Sequence, residues 1–490
     1  MDSPTPAPAP AHTHDAPPPD TAPPAPLTPL TPRKRWAVLA VIIAADVLDL
    51  VDATVTNIAA PTIAKDLGGG PGLIQWLGAS YALALGVLLV LGGRLGDKYG
   101  RRRLFLLGLG GFTLASVACG LAFSPESITI ARLAQGAFGA LVIPQGFGIL
   151  GSAWPREEIG KAFSLFAPAM GLSAVGGPIL AGFLIDADLA GLGWRPMFLV
   201  NLVLGGAALI AALRLIPKDP GDRAISIDGA GSALLGATML GLLSGLIEGS
   251  TNGWTPASLL LIAAGLVFFA LFCRRQRTAP NPLIQPSLLR NRGFTSGLVL
   301  CVAFSAAVSG LLYVISLYLQ EGLGRSPSDT ALGLVPLSAG IVIASIACHG
   351  LIGKLGRKLV LIGLLIMLTG TGYLLALVAN SPTHPAGWAL LPPMLIIGLG
   401  MGTCFGTVYD ITIGDIAPDE AGSASGSLSA VQQLANAIGA ATVVTVFFKT
   451  VDGGPAHAMT VTLTVVAGVT LLCCGLVGLL PRKAQEDQHH

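Results

Sequence analysis

The chain has 490 residues, of which 52% are hydrophobic and only 11% are charged, with a net charge of +2 and a mean hydropathy of +0.73. A soluble globular protein carries about 25% charged residues, so this composition excludes a water-soluble core under a solvated surface. Strands of a membrane barrel alternate polar with apolar residues, which the apolar runs of this chain do not. We therefore predict an all-α integral membrane protein.

The first predicted segment, residues 1–35, is a disordered cytoplasmic tail. Residues 1–32 are dominated by Pro, Ala, Thr and Asp without an apolar period, and such a segment cannot bury enough surface to fold. A signal peptide is disfavoured because the first apolar run follows Arg33, Lys34 and Arg35 and is long enough to span a membrane.

Fourteen apolar runs follow, and each is long enough to cross about 30 Å of hydrocarbon as a helix. If the N-terminus lies in the cytoplasm, 23 of the 28 basic residues fall in cytoplasmic loops and termini, as the positive-inside rule requires. Both termini are therefore predicted to be cytoplasmic, and a change by one helix pair would keep this parity. The predicted spans are 36–60, 74–93, 104–123, 127–152, 162–184, 196–216, 229–248, 256–273, 294–319, 330–352, 359–379, 388–412, 423–448 and 458–480.

Helix 1 carries three aspartates, Asp46, Asp49 and Asp52, which share a face of about 120° on a helical wheel. A charged side chain in hydrocarbon costs about 2.5–3.5 kcal/mol on insertion scales, so it normally faces a cavity. Burial and mutual repulsion favour the protonated form of a carboxylate, which proton coupling requires. All three are candidate proton-coupling residues. The alternative for Asp46 and Asp49 is a hydrogen-bonded polar stripe that faces neighbouring helices.

A basic loop after helix 2, Gly93 to Arg102, has a weaker counterpart in Gly353 to Lys358 after helix 10. Both loops follow the second helix of a six-helix unit if helices 7 and 8 are an insertion, and two related halves are a common transporter plan. The predicted domains are an N-terminal bundle, a two-helix insertion with its flanking loops, a C-terminal bundle and a cytoplasmic tail, at residues 36–216, 217–292, 293–481 and 482–490.

The loop from Gly93 to Arg102 resembles the signature loop between helices 2 and 3 of the major facilitator superfamily. Three further stretches, 52–61, 132–139 and 171–182, resemble motifs of its fourteen-helix drug:proton antiporter branch. The resemblance implies two six-helix bundles with two extra helices between them. It also implies a gating role for the loop, whose alternative is a basic loop that only sets topology. The implied gating residues are Gly93, Asp97, Lys98, Gly100, Arg101 and Arg102.

The same resemblance implies roles for intramembrane residues. The aspartate of the branch's helix 1 motif corresponds to Asp52, which is therefore the implied proton site. Arg132 matches an arginine that is assigned to proton relay in the family, and a static structural ion pair is the alternative. Asp410 could face either the cavity or the membrane–water interface. The antiporter motif that bends and packs helix 5 comprises Gly171, Gly176, Gly177, Pro178 and Gly182. The candidate cavity residues are Asn57, Gln135, Gln145, Asp410 and Gln432.

We expect a proton-coupled antiporter that exports amphipathic organic compounds, such as drugs, antibiotics or natural products, across the cytoplasmic membrane by alternating access. The alternatives are proton-coupled nutrient uptake and a transporter-like receptor or lipid-handling scaffold without turnover. Enzyme activity is not expected, because the sequence contains no nucleotide-binding loop and no metal-ligand cluster. We expect a monomer in a lipid bilayer, with protons and a small molecule as its partners and without cofactor, metal or nucleic acid.

Overall fold

The computed structural model describes residues 31–154, 159–223, 227–280, 282–284, 286–348, 351–380, 387–413, 416 and 421–481. Within these residues every regular element is a helix, so the all-α prediction is confirmed. Residues 1–30 and 482–490 of the predicted tails lie outside the described part. Fourteen helices in the described part of the chain have 20 residues or more, and we number them in chain order. They are α1 (Pro32–Leu67), α2 (Gly70–Tyr99), α3 (Arg101–Gly120), α4 (Pro125–Ala153), α5 (Ile159–Asp186), α6 (Pro196–Leu215), α7 (Gly229–Asn252), α8 (Pro256–Thr278), α9 (Arg292–Leu317), α10 (Pro327–Cys348), α11 (Arg357–Asn380), α12 (Leu391–Ile413), α13 (Ala421–Thr450) and α14 (Pro455–Leu476).

Twelve of these helices are long and apolar enough to cross a membrane. The other two are α1, which has 36 residues but carries the three aspartates, and α5, which has 28 residues and includes the apolar segment Gly176–Asp186. A multi-pass membrane fold follows from the twelve, whereas the count of fourteen spans stays a prediction.

Local sequence explains where several helices begin and end. Ser124 caps α4, because its hydroxyl accepts from the backbone N–H of Ser127 at 3.2 Å while its own N–H donates to the Ser127 hydroxyl at 2.9 Å. Pro125 follows at the first helical position, where the missing N–H of proline costs nothing. Helix α1 stops at Gly68, whose φ of 71° suits a glycine.

The helices pack in a pattern that recurs eight helices later. Helix α1 packs on α5, α2 on α4 and α3 on α6, and in the same way α9 packs on α13, α10 on α12 and α11 on α14. An offset of eight equals a six-helix unit plus a pair, which leaves α7 and α8 between the two units. The domain limits expected from the sequence stay a prediction.

Close backbone contact supports one of these pairings in each unit. A Cβ atom at Gly136 in α4 would lie 2.3 Å from the carbonyl oxygen of Tyr81 in α2. A Cβ atom at Gly398 in α12 would lie 1.9 Å from the carbonyl oxygen of Leu337 in α10. Only glycine permits such approach, so these helices pack backbone to backbone.

The two units meet through α5 against α10 and α2 against α13. Where α5 ends and α10 begins, the carboxylate of Asp186 accepts from the hydroxyl and, at 3.2 Å, from the backbone N–H of Ser328. Nearby, Nε2 of Gln320 donates to the carbonyl of Ile58 at 3.4 Å. These contacts close the units against each other at the end that the predicted topology places outside. Helix α7 lies against α2 and α13, and α8 packs on α7.

Candidate functional site

A buried ion pair joins α1 to α4. One carboxylate oxygen of Asp52 accepts from Nη1 of Arg132 at 2.5 Å, and both side chains are 1% exposed. At this distance the bond is charge-assisted, and it neutralises two charges that are each costly to bury alone. The candidates Asp52 and Arg132, which lie 80 residues apart in sequence, are therefore direct partners in the structure.

Arg132 has further partners that fix its position. Its Nε donates to the carbonyl of Leu77 at 3.1 Å, and its Nη1 also donates to Oε1 of Gln135 at 2.7 Å. The guanidinium lies over the ring of Tyr81, 4.4 Å from the ring centroid, where a cation is attracted to the π face. The arginine is thus held by α1, α2 and α4 together.

The second carboxylate oxygen of Asp52 accepts two amide hydrogen bonds. Gln135 Nε2 and Asn201 Nδ2 each donate to it at 2.8 Å. Both amides also donate to the hydroxyl of Ser116, at 2.7 Å and 3.2 Å. The pair therefore lies in a network drawn from α1, α3, α4 and α6, and the cavity candidate Gln135 belongs to this network.

The other two aspartates of α1 have different surroundings. Asp49 accepts a hydrogen bond from the hydroxyl of Tyr81 and borders the central cavity described below. Asp46 is buried near Gly146 of α4, and its Oδ1 has no hydrogen-bond partner among the described residues. The three aspartates of α1 therefore contact different neighbours, because residues three positions apart on a helix differ by about 60° in direction.

A cavity of about 330 Å³ lies between α1, α2, α4, α7, α9 and α13. Its walls are mainly apolar, and Asp49 and Arg132 bring opposite charges to it. This combination of apolar walls with a few convergent polar groups is typical of small-molecule sites. The remaining polar lining residues are Gln75, Tyr81, Ser309, Tyr313, Gln433 and Asn436.

The other candidate cavity residues lie elsewhere. Gln145 is buried, and its Nε2 donates to the carbonyl of Gly92 at 2.7 Å, which ties α4 to α2. Asp410 is exposed and Gln432 is half-buried, and neither lines the cavity. The side chain of Asn57 lies outside the described residues.

The predicted gating loop forms a tight turn between α2 and α3. Gly100 takes a φ of 97°, which glycine adopts without strain. Asp97 and Arg101 form an ion pair at 2.9 Å, and Nη1 of Arg101 donates to the carbonyl of Gly148 in α4 at 2.7 Å. Arg102 donates to the carbonyl of Leu213 in α6 at 2.7 Å. Of the other two predicted loop residues, Gly93 faces Pro144 of α4 and Lys98 lies in the last turn of α2.

Sequence reasoning missed the segment that covers this loop. The carboxylate of Asp219 accepts from the backbone N–H groups of Arg101 at 2.8 Å and Arg102 at 3.2 Å, which caps the start of α3. The N–H of Asp222 donates to the carbonyl of Asp97 at 2.8 Å. The connection between α6 and α7 therefore holds the loop. An acidic residue more than 100 positions away gives no local signal of this contact.

The predicted antiporter motif brings α5 close to two helices. A Cβ atom at Gly177 would lie 2.3 Å from the hydroxyl oxygen of Thr54 in α1, and one at Gly182 would lie 2.5 Å from Cα of Ser328 in α10. Pro178 is half-buried and Gly176 borders open space. Gly171 lies in α5, and its surroundings are outside the described part of the structure. Helix α5 thus touches both units through its glycines.

Known proteins resemble this chain along most of its length. Residues 42–440 match the family model of the Major Facilitator Superfamily. The chain is 42% identical over 440 residues to the probable actinorhodin transporter of Streptomyces coelicolor, an alignment that covers 87% of this chain and 76% of that protein. It is 32% identical over 470 residues to a puromycin resistance protein of Streptomyces alboniger, covering 91% of each chain. The partially occluded inward-open structure of the E. coli xylose transporter matches with a TM-score of 0.65 at 14% identity, covering 93% of this chain and 100% of that one, which concerns the fold alone.

Proposed function

This chain belongs to the Major Facilitator Superfamily, and we propose that it is a proton-coupled antiporter that exports amphipathic organic compounds. Its similarity to a probable actinorhodin transporter and to a puromycin resistance protein supports export of an antibiotic or a related natural product. The observation that carries the proposal is the cavity-lining carboxylate of Asp49 beside the buried pair of Asp52 and Arg132.

The cavity suits an amphipathic substrate. Leu50, Leu85 and the other apolar lining residues gain from contact with an apolar ring or chain, while Asp49 can pair with a cationic group on the same molecule. A positive substrate and a proton both neutralise a carboxylate. Substrate on Asp49 and a proton on the neighbouring Asp52 both add positive charge to one cluster, so each disfavours the other, which is a physical basis for exchange of drug against proton.

The buried pair supplies a link between protonation and conformation. When Asp52 takes up a proton, Arg132 keeps its charge, because a guanidinium does not lose it in proteins. The buried arginine then loses the carboxylate that pairs with it directly, so this arrangement loses stability relative to any conformation that hydrates the arginine. Protonation would thus shift the population between inward-facing and outward-facing states.

Two segments join this chemistry to movement of the helices. The loop of Asp97 and Arg101 connects α2, α3 and α4 at the predicted cytoplasmic end, and α5 packs on α10 at the opposite end. Only the second of these contacts joins the two units, and its release would let them separate at the outer end, as alternating access requires. In this proposal the protein acts as a monomer in the cytoplasmic membrane with both termini in the cytoplasm.

Transport into inverted membrane vesicles tests the proposal, with puromycin and a panel of fluorescent amphipathic cations as substrates. An acidic lumen should drive accumulation of at least one compound by the natural chain. We expect Asp52→Asn to abolish this accumulation. Asp66→Asn should preserve it, because Asp66 forms an exposed pair with Arg195 far from the cavity.

Three results would count against parts of this proposal. Absence of a gradient response for every compound removes the exporter function. Accumulation driven by the opposite gradient indicates uptake instead. Full activity of Asp52→Asn with loss in Asp49→Asn moves the coupling carboxylate to Asp49.

A further inference from the structure

Helix α7 of the inserted pair forms part of the cavity wall. Leu243, Leu246 and Ile247 line the cavity that also contains Asp49. The helix reaches this place because it lies against both α2 of the first unit and α13 of the second. Its partner α8 packs on α7 and presents exposed leucines, including Leu266, on its other side. The inserted pair therefore has one helix at the cavity and one outside it.

A buried amide in the same wall has a free donor. Gln75 of α2 is 3% exposed, and its Oε1 accepts from the hydroxyl of Ser250 in α7 at 3.0 Å. Its Nε2 has no hydrogen-bond partner among the described residues, although the side chain lines the cavity. An unpaired buried donor is unfavourable, so a ligand oxygen that accepts from it gains affinity.

We propose that α7 and Gln75 form the substrate-recognition face of the cavity. Leu243, Leu246 and Ile247 pack against the apolar part of the substrate, and Nε2 of Gln75 donates to an oxygen acceptor such as a carbonyl or a phenolate. Asp49 borders the same cavity and takes a cationic group of the substrate. The preferred substrate is therefore a largely apolar molecule with an oxygen acceptor. This inference rests on the proposed export function and adds a substrate class to it.

The arrangement gives the two inserted helices distinct roles. A pair that served only to fill space in the lipid would need no side chain in the cavity and no bond to α2. The bond between Ser250 and Gln75 instead orients the amide, so that α7 both supplies an apolar wall and positions the donor. Gln75 is a specificity residue in this proposal, and Ser250 is a positioning residue.

Transport by the full chain in proteoliposomes, driven by a proton gradient, tests this assignment with two planar cationic probes. Doxorubicin carries quinone carbonyls, whereas ethidium has no oxygen. Gln75→Leu should raise the KM for doxorubicin about tenfold, as expected for one lost hydrogen bond, and change that for ethidium less than twofold. Gln75→Asn, which shortens the amide but keeps its donors, should lie between the natural chain and Gln75→Leu. Leu246→Ala should raise both KM values, and the matched control Leu266→Ala on α8 should change neither.

The outcomes separate this inference from the function on which it rests. If the natural chain transports neither probe but still responds to the gradient with puromycin or another compound of the panel, this inference fails and export stands; if it transports no compound at all, both fail. Transport of ethidium alone overturns the substrate class and leaves export standing. Equal effects of Gln75→Leu on both probes, or effects of Leu246→Ala no larger than those of Leu266→Ala, overturn the inference while transport remains. The melting temperature of Gln75→Leu should not fall, which excludes misfolding as the cause.

Discussion

Removal of the charge on Asp52 is the sharpest test of the buried pair. Asp52→Asn keeps the size of the side chain but leaves Arg132 charged, 1% exposed and without the carboxylate that pairs with it directly. Breaking one partner of a buried pair costs about 3–5 kcal/mol. The exposed pair of Asp66 and Arg195, at 3.1 Å, provides an internal comparison, since such pairs contribute about 0–1 kcal/mol.

A double-mutant cycle in detergent-solubilised protein measures this difference. The cycle comprises Asp52→Asn, Arg132→Gln and the double variant. We expect Asp52→Asn to lower the melting temperature clearly and the double variant to recover part of that loss, while the separate control Asp66→Asn changes it little. The coupling energy should be about 2 kcal/mol or more, because the two side chains touch. Equal, small and additive effects of all these changes would refute the reasoning that protonation of Asp52 destabilises this conformation.

The magnitude also bears on transport. A shift from 1:99 to 99:1 between two states requires about 5.5 kcal/mol. A cost of about 3–5 kcal/mol for an unpaired arginine supplies most of that amount from a single proton.

Three other changes test the packing and the predicted gates. Asp219→Ala removes the cap of α3, so we expect the free energy of unfolding to fall by about 1 kcal/mol and transport to become slower. Gly136→Ala places a Cβ atom 2.3 Å from a carbonyl oxygen and should lower the free energy of unfolding by about 1–3 kcal/mol. In the control Gly206→Ala the new Cβ atom meets nothing within 4 Å, so the melting temperature should stay unchanged or rise slightly. Asp186→Ala removes the contact with Ser328, and hydrogen–deuterium exchange should then increase at the end of α5 and the start of α10; unchanged exchange there would contradict its role in closure.

Hydropathy predicted the helices well, because each spanning run must satisfy its own backbone within lipid. It could not distinguish which apolar helices face lipid and which face a cavity. Leu246 of α7 and Leu266 of α8 both lie in segments that are apolar enough to span a membrane, with mean hydropathies of 1.7 and 2.4, yet Leu246 lines the cavity and Leu266 is exposed. Length and hydropathy identify both helices as spans, but they do not show that only α7 reaches the site.

Partners across helices were the least predictable feature. Asp52 and Arg132 each stood out as a costly intramembrane charge, but their pairing depends on the depth and rotation of α1 against α4. Tyr81 and Gln75 gave no such signal, because an uncharged polar residue in an apolar run is common and cheap. Sequence alone therefore finds the charged members of a membrane site, and it finds a neutral donor such as Gln135 only where the donor lies in a family motif.

In the proposed mechanism, the separation of Asp49 from Asp52 would let one helix serve both substrate and proton. Asp52 has three donors on its two oxygens and is shielded from the cavity, whereas Asp49 borders the cavity and accepts from Tyr81. The ring of Tyr81 lies against the guanidinium of Arg132, so the same residue touches both sites. A cation that binds Asp49 would compete with Arg132 for the negative charge in this cluster. Substrate binding would then make release of the arginine from Asp52 less favourable, which is the sign of coupling that exchange of substrate for proton requires.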